Sequence, residues 1–372
     1  MRADGNLDQG EDPATCDALE AGALNLLENC VGVAPGDRVL IVREDAAHGY
    51  YDDHAPTFVA EKARALGARV ETFMAPLIDG PESFPRELRT AMADADHTIF
   101  FCRIGDQVRF AEIAGAGTKT MCYALDRGFL GSGFCALPHG LMEEIKRRLE
   151  AALDGASAWR ITCPLGSDAC GTFEGPGAEG EADDFSLRLF PVTTFRPVPC
   201  ATMNGRVALS RWLMATGSRT YTPSEVALGA PVFAVIENGR IVRFEGDGES
   251  ARNARAQHDH VGATFGIDPD LVHSWHVGIN PQTFYPRPAE SGLERWGGIS
   301  FGSPRYLHFH ACGDYAPGEI CWSLFDATVE IDGERFWTDG RFSFLERDDI
   351  AALIAAEPAA APLFEPRSDL GI

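Results

Sequence analysis

The periodicity of this 372-residue chain changes partway along its length, and that change limits the folds open to it. Up to about residue 163, short apolar runs alternate with helical patterns. Residues 38–43 (RVLIVR) follow the turn signal Pro35-Gly36-Asp37 and read as a buried strand. Residues 56–66 (PTFVAEKARAL) have helical spacing and stop at Gly67, and 69–73 (RVETF) is a second strand. A helix is expected over 83–93, opened by Ser83 and Pro85, with further strands at 97–102 (HTIFFC) and 118–124. Residues 140–153 place apolar side chains at 141, 142, 145, 149 and 153, an amphipathic helix, and 158–163 (AWRITC) reads as another strand. Strands separated by helices predict a doubly wound parallel sheet.

A Gly- and acid-rich stretch without period, residues 173–184 (FEGPGAEGEADD), breaks this rhythm. Beyond it, runs at 231–237 and 241–245 flank Asn238-Gly239, and runs at 328–331 and 334–337 flank Asp332-Gly333; both are two-residue hairpin signals. One helix is expected over 249–265, and an Ala-rich helical tail over 350–361. The expected fold is therefore α/β: an N-terminal doubly wound parallel-sheet domain (1–168) followed by an α+β domain with a largely antiparallel sheet (169–372).

Charge narrows the partners. Thirty-two Lys and Arg against 55 Asp and Glu leave −23, a field that repels nucleic acid and anionic membrane surfaces. No apolar run reaches the roughly 18 residues of a membrane span, and the first fifteen residues are acidic and polar, unlike a signal peptide. None of the ten cysteines forms a C-x-x-C, so they read as small hydrophobes in a reducing compartment. The expectation is a cytoplasmic protein with a small-molecule substrate, no nucleic-acid partner and no membrane.

Histidine carries the chemical signal, because six of the ten lie between 258 and 310. In Tyr306-Leu307-His308-Phe309-His310 the alternation of a strand puts Tyr306, His308 and His310 on one face, where two imidazoles can converge on a metal. Asp314 follows and offers a carboxylate as ligand or acid/base; two histidines and a carboxylate suit Fe(II) with open positions for substrate and O₂, and would also hold Zn²⁺. In residues 272–281 (VHSWHVGINP), read as a strand that ends in a turn at Gly278 and Asn280-Pro281, Ser274, His276 and Gly278 share a face, with His273, Trp275 and Val277 on the other; His276 is a third ligand or a catalytic acid/base. The competing reading is that these histidines pack among aromatics and hydrogen-bond locally. His258-Asp259-His260 lies in a helix, where residues two apart diverge, and is expected on a solvated face. Residues 298–302 (GISFG) match G-x-S-x-G, but Pro304 and a strand follow, so a nucleophilic Ser300 is not expected. Residues 115–119 (GAGTK) precede a strand rather than opening a helix, and no G-x-G-x-x-G follows the first strand, so neither a P-loop nor a dinucleotide site is expected.

The order of segments resembles the superfamily that contains the 2,5-dihydroxypyridine 5,6-dioxygenases and the leucyl-aminopeptidase-like thermophilic metallopeptidases. The matching pieces are residues 112–119 (EIAGAGTK), the helix 143–153 running into Trp159-Arg160-Ile161-Thr162, Gly166-Ser167-Asp168, Val277-Gly278-Ile279-Asn280-Pro281, and 327–333 (ATVEIDG). The first of these tilts the resemblance toward the dioxygenases. It implies metal ligands at positions that here hold Thr194, Ser274, Ile320 and Trp322, and so a substituted site, with His276, His308 and His310 close by in sequence. It also implies a homodimer. The leading expectation is a metal-dependent oxygenase, holding Fe(II) (Zn²⁺ or Mn²⁺ as alternatives) through His276, His308 and His310, with Asp314 in a catalytic role. Ser274, Tyr306 and Trp322 are candidate pocket residues, with Trp275 and Phe309 as further wall candidates. The alternatives are a metal-dependent amide or peptide hydrolase, and a metal-free or inactive relative that binds a small ligand.

Overall fold

The structure is a computed structural model that describes residues 16–108, 117–173, 187–314 and 318–372. The first fifteen residues, nearly all of the acidic break at 173–184 and most of the 112–119 stretch lie outside the described residues.

Five strands form a wholly parallel sheet in the order Arg69–Met74, Arg38–Arg43, His97–Phe101, Thr118–Cys122, Arg188–Phe190. Its central strands are apolar without alternation, with Val39, Leu40, Ile41 and Val42 all buried, because helices cover both faces. The helices Cys16–Leu24, His54–Ala65 and Arg86–Asp94 supply part of that cover. The fifth strand differs from the expected one. Residues Ala158–Thr162 do form a strand, but it alternates, with Trp159 and Ile161 buried and Ala158 and Arg160 exposed. That pattern suits a sheet with one wet face, and the strand pairs antiparallel with Asp168–Thr172 and Thr328–Ile331 instead. The expected helix at 83–93 begins later, at Arg86, behind a short 3₁₀ turn.

The rest of the chain builds two antiparallel sheets. The six-stranded sheet runs Glu225–Ala227, Trp212–Ala215, Ile320–Phe325, Tyr306–Ala311, Val272–Val277, Val198–Pro199. The seven-stranded sheet runs Arg240–Gly246, Val232–Glu237, Asn204–Leu209, Asp168–Thr172, Ala158–Thr162, Thr328–Ile331, Glu334–Trp337. Both expected hairpins are present. Asn238 (φ 49°) with Gly239 (φ 71°), and Asp332 (φ 49°) with Gly333 (φ 84°), take the left-handed angles a two-residue turn needs. The chain is thus α/β, a parallel-sheet unit joined to an α+β unit with antiparallel sheets.

The two antiparallel sheets share one core. Trp159 meets Trp275 edge-on at 5.6 Å between ring centroids, and Phe309 and Trp322 pack in the same cluster. One face of the six-stranded sheet is therefore dry, and alternation turns most of the neighbouring side chains toward the parallel sheet. Where Val272–Val277 ends, Asn280 ties the parts together. Its amide donates to the carbonyls of Phe134 and Val192, and its Oδ1 accepts from the Gln282 amide. Among the described residues, no helix is long and apolar enough to cross a membrane. All ten cysteines are free thiols and seven are buried.

Candidate metal centre and its cavity

Register brings three imidazoles together. Val272–Val277 and Tyr306–Ala311 are antiparallel neighbours in which His276 lies directly opposite His308 and Ser274 opposite His310. Side chains opposite each other share a face, so His276, His308 and His310 project together. Ring centroids are 4.1 Å apart for His276 and His308, 4.9 Å for His276 and His310, and 5.0 Å for His308 and His310. One ligand-capable nitrogen from each lies within 4.8 Å of the others. His276 and His308 are buried and His310 is partly buried.

Hydrogen bonds and packing orient these rings. His276 Nδ1 is 3.1 Å from Thr194 Oγ1 and 3.4 Å from the Phe195 carbonyl, acceptors that favour the Nδ1–H tautomer and leave the lone pair on Nε2. Ser274 Oγ lies 3.4 Å from His310 Nδ1 and 3.1 Å from His273 Nδ1. Tyr306 stacks on His308, with rings 5.4 Å apart and 16° from parallel, and its hydroxyl contacts Ser323 Oγ at 2.9 Å. Burial first, then the two neighbouring imidazoles, hold His308 well below the ordinary histidine pKa, so it is neutral. Its Nδ1 is buried with no hydrogen-bond partner among the described residues.

The cluster opens onto a cavity of about 1000 Å³. One wall is the polar face of the six-stranded sheet, with Ser274, Tyr306, the three histidines and Cys321. The opposite wall carries Tyr50, Asp79, Arg103, Gln107 and Tyr123, each beyond the carboxyl end of a parallel strand, where open α/β sheets bind ligands. The segment between the parallel sheet and Val198–Pro199 passes the cluster and places Thr194 beside His276. Buried Glu319 pairs with Arg219 at 2.8 Å and accepts from Ser218; burial raises its carboxyl above the usual range despite these partners.

The sequence-based candidates divide as follows. His276, His308 and His310 converge, and Ser274 and Tyr306 line the cavity. Asp314 lines it too, but it is exposed and not among the converging groups; Cys312 (φ 68°) and Gly313 (φ 89°) turn the chain between it and His310. Trp322 is a correction. It pairs with Phe309, faces the dry core and donates its Nε1–H to His258 Nε2 at 3.1 Å. The side chains that strand turns to the site are Cys321 and Ser323, opposite His310 and His308. Trp275 and Phe309 face the dry core for the same reason. Of the positions the resemblance singles out, Thr194 and Ser274 touch the cluster, whereas Ile320 and Trp322 face away. His258 is a second correction. It is fully buried, donating Nδ1–H to the Pro269 carbonyl at 2.7 Å, while His260 on the other side of the helix is exposed. Ser300 ends the helix Leu293–Ser300 and is buried, away from any strand-to-helix elbow.

Sequence reasoning missed His273. A bulge between Val272 and Ser274 breaks the alternation and lets His273 line the cavity beside Ser274. No signal in a single sequence announces such a bulge.

No family model matches the chain, and no curated protein matches its sequence. Solved structures do match. Wild-type AmpT from Thermus thermophilus covers 88 % of this chain and 98 % of its own at 14 % identity, with a TM-score of 0.49. The 2,5-dihydroxypyridine dioxygenase from Pseudomonas putida KT2440 covers 87 % of this chain and 96 % of its own at 14 % identity, with a TM-score of 0.57. This chain shares the fold of that dioxygenase over most of its length.

Proposed function

We propose that the cavity is the active site of a metal-dependent enzyme and that His276, His308 and His310 hold one divalent ion, with Fe(II) first and Zn²⁺ or Mn²⁺ as alternatives. The observation that carries this reading is the convergence of three imidazoles within 4.8 Å, with His308 neutral and its buried Nδ1 without a described partner. Nitrogens bound to one ion at about 2.1 Å stand roughly 3–3.4 Å apart, so small ring rotations close the set. An ion held there supplies open positions for a small aromatic, heterocyclic or amino-acid-like substrate and O₂.

The oxygenase reading is favoured over two-metal hydrolysis for two reasons. The dioxygenase neighbour shares the fold. The converging group also holds no carboxylate among the described residues, whereas two-metal hydrolysis relies on bridging carboxylates. Within the chain, Thr194 and Ser274 orient the imidazoles and Tyr306 packs on the deepest one.

Metal analysis of tag-free protein tests the proposal. About one ion per chain is expected, lost in His308→Ala and in His276→Ala while the circular dichroism spectrum is kept. Wild-type protein that takes up no ion from Fe(II), Zn²⁺ or Mn²⁺ would overturn it and leave the cavity as a ligand-binding site. Substrate turnover that needs O₂ supports the oxygenase; amide hydrolysis under nitrogen supports the hydrolase.

A further inference from the structure

The cavity is far larger than the space around its three imidazoles, and its charge is one-sided. Asp79, Glu225 and Asp314 are exposed along it, and Asp106, Asp154 and Glu294 also line it. Against these six carboxylates stand three arginines among the described residues, and each is already held by acid. Arg103 is bound at 2.9 Å by buried Glu44 and at 2.9 Å by Glu294. Arg196 pairs with Asp154, and Arg219 with buried Glu319. With Glu44 and Glu319 behind the wall, eight carboxylates face three guanidinium groups. A cleft walled by low-dielectric protein focuses such a field, and the −23 charge of the chain adds to it.

The lining also offers aromatic faces. Tyr50 and Tyr123 lie on the parallel-sheet side, and Phe301 meets Tyr123 edge-on at 4.9 Å. Tyr50 already carries one cation, the Arg103 guanidinium, 4.9 Å above its ring. Such faces attract organic cations and cost a neutral ring nothing. At the deep end of the same cavity His308 is 5 % exposed and its Nδ1 has no described hydrogen-bond partner.

We infer that this cavity selects a substrate with a protonated amine on an arm extending from its reactive ring, and rejects the analogue in which a carboxylate or phosphate takes the amine's place. A single ring fills only about a tenth of a space at the top of the usual ligand-pocket range, so the site has room for such an arm. The inference rests on the cavity being the substrate site; it does not depend on which ion the imidazoles hold.

Calorimetric titration of the purified chain, with metal content measured on the same sample, tests it. The probes are tyramine, 4-ethylphenol and 4-hydroxyphenylacetate, which share a ring and differ in charge. Tyramine is expected to bind about tenfold more tightly than 4-hydroxyphenylacetate, with the gap narrowing as salt is raised. In the Asp79→Asn, Glu225→Gln, Asp314→Asn triple variant the gap should shrink at least about threefold while 4-ethylphenol binding, which reports an intact cavity, is unchanged. Equal or tighter binding of the carboxylate, an undiminished gap in the triple variant, or no binding by any probe at millimolar concentration overturns the inference. A metal-free protein that keeps the cation preference would instead overturn the metal reading alone.

Discussion

Two hydroxyls decide how well three imidazoles can act as one site. Thr194 Oγ1 and Ser274 Oγ each contact the Nδ1 of a cluster histidine, and outer partners of this kind set tautomer and ring direction. Thr194→Val and Ser274→Ala should each weaken metal affinity by about tenfold or more, read by competition with a chelating dye, while the folded spectrum is retained. Unchanged affinity in both variants would make the contacts incidental. These residues also mark what the sequence could reveal. His308 and His310 are legible because a strand keeps a period of two, and His276 because its own strand alternates as well. That the two strands would be neighbours, in a register that sets His276 against His308, is a long-range fact with no local signature. Thr194 is invisible to periodicity, since it lies on a connecting segment, and only the family resemblance pointed to it. Trp322 faces the dry core for a related reason: counting along a strand gives relative faces, but which face is wet depends on the sheet packed against it.

At the level of elements, the site depends on how closely two backbones approach at the end of Val272–Val277. A Cβ on Gly278 would overlap the carbonyl groups of Gly302 and Ser303, and the Gly278 carbonyl accepts from Trp337 Nε1 at 3.2 Å. Gly278→Ala must therefore push the strand end outward, and His276 is two residues away. The expected cost is about 1–3 kcal/mol of stability, measured by urea unfolding, together with weakened metal binding. Gly333→Ala is the control. Its backbone is left-handed at φ 84° but nothing lies within 4 Å of the added carbon. It should cost about 1–2 kcal/mol and leave metal binding untouched. If both variants bind metal as the wild type does, the strand end does not position His276. The same contrast explains which elements could be read in advance. The hairpins at Asn238-Gly239 and Asp332-Gly333 are encoded locally, by residues that tolerate positive φ. The strand Ala158–Thr162 was recognisable as a strand, but its sheet was not. Its alternating burial already suited an antiparallel neighbour, and the strand–helix rhythm before it argued the other way.

Across the whole molecule, the layers bury histidines for two different ends. The cluster on the wet face of the six-stranded sheet gathers three imidazoles, of which burial keeps His308 neutral. On the dry side, His258 is locked neutral by its partners. Trp322 Nε1–H points at its Nε2 while its Nδ1–H serves the Pro269 carbonyl, so a second proton would set two N–H groups against each other. Burial, its largest cause, pushes His258 down to about 4, and burial also pushes His139 down to about 4, with Arg188 and Lys146 adding to the effect. Depressed values mean that the unfolded chain, with histidines near 6.5, binds more protons than the folded one between about pH 4 and 6.5. The stabilisation is complete above that window and is lost as pH falls through it, at about 1.4 kcal/mol per pH unit for each histidine. By pH 4 each has cost on the order of 3 kcal/mol, a large share of a stability of roughly 5–15 kcal/mol. Glu319 and Asp52, whose carboxyls burial raises, act in the opposite sense by gaining protons more readily in the folded chain. Urea unfolding of metal-free protein from pH 7 to 4.5 should therefore show falling stability, and His139→Gln should flatten the slope by about 1 kcal/mol per pH unit. A stability that stays level over this range, or a slope the variant leaves unchanged, would mean that His139 takes up its proton in the folded chain as readily as in the unfolded one.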